Sequence, residues 1–129
     1  MSIRDQAGAR AASAPVLELD VPAAVTLRDL IRTRVREEVA KANAAIGKGE
    51  AFRTLVQPTE AEATLNGYRM RQGKTIDWQR QAETAEQAFG RNGFFVVVDG
   101  RQVEDLDEEL ALSADSDIRF VRLTPLVGG

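Results

Sequence analysis

A chain of 129 residues, 43% of them hydrophobic, is long enough to bury one core without covalent staples. It has no cysteine and no histidine, which removes disulfides, thiolate nucleophiles and zinc-thiolate sites, and with them the usual metal ligand and the usual general base. A net charge of -3 gives no electrostatic reason to expect nucleic acid or an anionic membrane, and no apolar run approaches a membrane span. Residues 1–15 lack the apolar core of a signal peptide, so the expectation is a soluble cytoplasmic protein.

In chain order, Ser2 to Gln6 is a weak strand candidate and Pro15 to Val21 a better one, because its apolar residues alternate with charge. The Ala/Gly/Ser-rich stretch between them reads as a loop. From Thr26 the spacing predicts a helix to Ile46. Leu27, Leu30, Ile31, Val35, Val39, Ala42 and Ile46 share a face, while Arg28, Arg32, Arg36, Glu37 and Lys41 take the solvent side. Thr26 is the expected N-cap, Asp29 supports the first turn, and Gly47 is the expected stop.

Residues 49–93 then carry a short strand or extended loop over Phe52 to Val56 and a short helix from about Thr59, stopped at Asn66-Gly67. A second amphipathic helix opens at an Asp77 N-cap and closes at Gly90, with Trp78, Ala82, Ala85 and Phe89 on one face. The apolar run Phe94 to Val98 is a strand. Asp99-Gly100 after it is the strongest short hairpin signal available, since a primed turn needs positive φ at its centre. A return strand follows at Ile118 to Leu123, and then the tail Thr124-Pro125-Leu126-Val127-Gly128-Gly129. The acidic run Glu104-Asp105, Asp107-Glu108-Glu109 does not have the spacing of a calcium loop and reads as solvated loop.

The segment VDGRQVED, Val98 to Asp105, and its spacing to the Gly128-Gly129 end resemble the ubiquitin-like β-grasp family. The tail TPLVGG is similar to those of small sulfur carriers. The resemblance implies an α+β fold: a β-grasp mixed sheet of four or five strands packed on one main helix. It covers a single domain, 1–129, with residues 49–93 as a partly helical insertion.

In that family the C-terminal carboxylate is adenylated by an E1-like enzyme. The implied site is therefore Gly128 and Gly129, whose lack of Cβ lets an extended backbone pass a narrow enzyme channel, with Val127, Leu126 and Pro125 as the recognised tail. No cofactor is expected on the chain; ATP belongs to the partner, an E1-like adenylating enzyme of the ThiF/MoeB type. The implied fate of Gly129 is conjugation to a protein acceptor, with an E2-like enzyme and a JAB-type protease as further partners. The alternatives are a thiocarboxylate sulfur carrier and a non-covalent adaptor. Under none of these readings is the chain itself an enzyme. With only Lys41, Lys48 and Lys74 as lysines, self-conjugation would be restricted, although arginine-rich codon usage accounts for the same composition.

Period-two alternation places Phe94, Val96, Ile118 and Phe120 toward the helix and Phe95, Val97, Val121 and Leu123 on the opposite face. The second set is either a partner-binding patch or a surface covered by the insertion, through Trp78 and Phe89.

Overall fold

A computed structural model describes residues 2–7, 14–18, 23–64, 67–71 and 74–122. Strands β1 (Ser2–Ala7) and β2 (Ala14–Glu18) precede a short β3 (Ala24–Thr26) and the long helix α1 (Leu27–Gly47). Then come β4 (Ala61–Thr64), β5 (Gly67–Met70), helix α2 (Trp78–Gly90), β6 (Phe94–Val98), β7 (Arg101–Val103), β8 (Glu109–Ala111) and β9 (Ile118–Arg122). The fold is α+β. Its main sheet has five strands in the order β2-β1-β9-β6-β7, mixed because β9 runs parallel to β1 and antiparallel to β6.

One helix fills one face of this sheet. Ile3, Phe94, Val96, Ile118 and Phe120 are fully buried from the sheet side, and Leu27, Leu30 and Ile31 from α1. The helix begins where expected: the Thr26 hydroxyl accepts from the Asp29 amide at 3.2 Å. It ends at the expected stop, one residue beyond Ile46. Gly47 is its last helical residue, and the left-handed position belongs to Gly49, at φ 72°.

Asp99 and Gly100 both have positive φ, 50° and 83°, as the hairpin turn between β6 and β7 requires. The turn is tied to the start of β9 by two reciprocal bonds: the Asp117 amide donates to Asp99 Oδ1, and the Asp99 amide to the Asp117 carbonyl, both at 2.8 Å.

The described residues of the expected helix, 58–64, are not helical. β4 and β5 are an antiparallel hairpin, pairing Ala61 with Met70 through Thr64 with Gly67, and Phe52 bridges onto Tyr68 from the other side. A run of Ala and Glu has good helix propensity, but a stretch of under ten residues cannot stabilise a helix by propensity alone. The Asn66-Gly67 pair that signals a helix stop is equally a hairpin signal.

The described part of the insertion lies on the helix-bearing side of the sheet. α2 runs antiparallel beside α1, with Glu86 taking Arg28 and Arg32 at one end and Ile76, just before α2, taking Asn43 at the other. Phe89 meets Phe94 with ring centroids 5.7 Å apart, on the buried side of β6, and Trp78 sits against Arg36. Neither aromatic therefore covers the opposite face of the sheet, which corrects that alternative.

Candidate functional site

Two features position the end of β9, where the tail begins. The first is its place at the centre of the sheet, with hydrogen-bonded neighbours on both sides. The second is a buried ionic cluster under the strand. Arg34 is fully buried and gives Asp5 on β1 two bonds, Nη1 to Oδ1 at 2.5 Å and Nη2 to Oδ2 at 2.8 Å. Its Nε reaches Glu38 Oε1 at 3.1 Å, and its guanidinium carbon lies 4.4 Å from the centroid of the Phe120 ring on β9. Arg122, the last described residue of β9, brings a second cation to 3.8 Å from Asp5.

Glu38 also accepts from the Leu55 amide at 3.2 Å, so the cluster ties strand, helix and insertion together. Burial pushes the Glu38 carboxyl above its ordinary range, against the pull of the Arg34 guanidinium. Nearby, the Tyr68 hydroxyl is hydrogen-bonded to the Thr54 hydroxyl, and burial raises its pKa well above the usual phenol value. The sequence reading missed this cluster. An Arg34-Glu38 pair at i, i+4 has the signature of a surface ion pair, and only its phase, on the same stripe as Leu27, Ile31 and Val35, could have marked it as internal.

Three of the four expected patch residues, Phe95, Val97 and Val121, are brought together on the other face. Phe95 stands opposite Val121 across β6 and β9, and Val121 is opposite Gln6 on β1. The next row is Gln102, Val97, Arg119 and Arg4, read across β7, β6, β9 and β1. Phe95 and Val97 are half-buried, and Val121 is 8% exposed but outside the core that faces α1. The surface is thus a small apolar centre beside two arginines. Arg119 is 42% exposed and held by Asp117 at 2.9 Å. Leu123, Pro125, Leu126, Val127, Gly128 and Gly129 lie outside the described residues.

The acidic stretch after β7 is occupied with local structure. Asp105 accepts from the Asp107 amide, and Glu108 pairs with Arg101. A cavity of about 720 Å³ lies between the β4–β5 hairpin and α2, rimmed by Lys74 and Glu60, which pair with each other at 2.8 Å. Its buried Gln81 donates to the Val56 carbonyl, and among the described residues no buried side-chain polar atom lacks a partner. Among the described residues no helix is long and apolar enough to cross a membrane.

Compared with protein-family models, with curated proteins and with solved structures, the chain shows no significant match to any.

Proposed function

We propose that this chain is a ubiquitin-like β-grasp protein whose Gly129 carboxylate is adenylated by an E1-like enzyme using ATP and then passed to a protein acceptor. One observation carries the reading: a long helix clasped by a mixed sheet in which the strand leading to the glycine pair is central, parallel to the first strand and flanked by a hairpin. This architecture supports a reading in which a rigid body carries, on its central strand, the chain that leads to the carboxyl end. The patch of Phe95, Val97 and Val121, with Arg119 and Arg4 beside it, is the docking face for the activating enzyme on this reading. Folds host many functions, so the assignment stands on the tail chemistry and must be tested there.

The test is ATP–pyrophosphate exchange by a candidate E1-like enzyme in the presence of the protein, with the mass of the natural protein first confirming a free Gly129 carboxylate. Exchange that disappears when Gly128 and Gly129 are deleted supports the proposal. Binding and biological function that survive the deletion would instead mark a non-covalent adaptor. The Pro125-containing tail favours a second fate, sulfur transfer. That fate predicts an oxygen-to-sulfur mass gain at Gly129, whereas conjugation predicts Gly-Gly remnants on acceptor lysines.

A further inference from the structure

On the outward side of α1, at the N-terminal end of α2, lies a groove of about 320 Å³ lined by Val25, Asp29, Arg32, Thr33, Arg36 and Trp78. Asp29, Arg32, Thr33 and Arg36 form one ridge of the helix, spaced three and four residues apart. Trp78, the only tryptophan in the chain, is half-buried at its floor. The Arg36 guanidinium carbon is 5.6 Å from the centroid of the tryptophan ring. Arg36 is exposed, and no carboxylate among the described residues pairs with it, although Arg28 and Arg32 on the same ridge share Glu86. Arg32 uses Nε and Nη2 on Glu86, at 3.4 and 3.2 Å, and its side chain remains 43% exposed.

The groove therefore presents a flat apolar floor beside one cation with no counterion among the described residues and a second that is only edge-bound. An arginine lying on an aromatic face keeps its in-plane N–H donors free for a carboxylate while its π-surface is occupied. We infer that this groove binds an acidic peptide segment of a partner protein. A carboxylate of that segment sits between Arg36 and the outward edge of Arg32, and a neighbouring apolar side chain lies over Trp78 and Val25. A polyanion such as nucleic acid fits less well. The net charge of -3 repels it at long range, and its run of phosphates meets Asp29 on the groove's own wall, whereas a single carboxylate at Arg36 stands about two helical turns from Asp29. This inference does not depend on the fate of Gly129.

The fluorescence of Trp78 reads the site directly. The probes are three synthetic peptides, each with an aromatic or leucine residue flanked by aspartate and glutamate, their asparagine and glutamine counterparts, and a thymidine oligonucleotide. At least one acidic peptide should give a saturable change that weakens with salt. Its affinity should fall about tenfold or more in Arg36→Ala and stay within twofold in Lys41→Ala, a lysine farther along the same helix. Circular dichroism of both variants checks that the fold is retained. The inference is overturned if no acidic peptide gives a saturable response, if the amide counterparts bind equally, if the oligonucleotide binds more tightly, or if Lys41→Ala weakens binding as much as Arg36→Ala.

Discussion

Arg34 has neutralising partners on two elements, so its removal is asymmetric in effect. Arg34→Leu leaves Glu38 buried without its counterion and Asp5 with only Arg122 at 3.8 Å, and unfolding measurements should show a loss of about 3–5 kcal/mol. Glu38→Gln behaves differently, because the amide oxygen can still accept from Leu55 while Asp5 continues to balance Arg34. The folded carboxyl of Glu38 is raised above its unfolded value. Its contribution is therefore fully present below its ordinary value of 4.5 and is lost as pH rises through the folded value. The variant lacks that loss, so its stability relative to wild type should increase with pH. Urea unfolding followed from pH 4 to pH 8 reads it, and a constant difference between the two proteins over that whole range would refute the assignment. Gly67 is a different kind of constraint. With φ at 148° and the Phe52 carbonyl oxygen 2.7 Å from where a Cβ would stand, Gly67→Ala should lower stability by about 1–3 kcal/mol in the same assay, without changing the denaturant slope.

At the level of elements, α1, α2, β6, the Asp99-Gly100 turn and β9 were legible because each carries a local signal: helical phase, an N-capping Thr26 or Asp77, an apolar run of strand length, or a positive-φ turn. β3 and β8 were not. Three-residue strands that pair Ala24–Thr26 with Glu109–Ala111 have no periodicity to read, and their pairing is set by where α1 begins. The β4–β5 hairpin was misread because local propensity and turn chemistry pointed to different elements, and contact with Phe52 decides between them. The way the insertion attaches was equally hidden, since it depends on polar side chains that look like surface residues. Asn43 on α1 both donates to the Ile76 carbonyl, at 3.1 Å, and accepts from the Ile76 amide, at 2.8 Å. Asn43→Ala strands two backbone groups at a half-buried seam and should cost about 1–3 kcal/mol. Hydrogen exchange at the Ile76 amide should accelerate more than at Val96 in the sheet centre, which would locate the loss at the seam rather than throughout the core.

Across the whole molecule the sheet divides the chain's tasks between its faces: α1 and the insertion load one, and the described residues leave an apolar centre with arginines on the other. On the proposed reading the second face docks the activating enzyme, and Val97 tests this most cleanly. Its register neighbour on β9 is Arg119, so Val97→Glu places a carboxylate opposite a guanidinium, a cross-strand pairing worth about 0.2–1 kcal/mol that offsets part of the lost apolar contact. The variant should therefore melt within a few degrees of wild type. A negative charge at the centre of a docking face, however, must be desolvated against the partner, and pyrophosphate exchange should fall about tenfold or more at subsaturating protein concentration. Exchange should recover toward the wild-type maximum at high concentration, because Gly129 itself is untouched; deletion of the glycine pair, by contrast, should not be rescued by concentration. If Val97→Glu unfolds the protein, this face belongs to the interior. If it exchanges as well as wild type, the enzyme docks elsewhere, and the acidic-peptide groove at Arg36 and Trp78 becomes the next surface to test against the same partner.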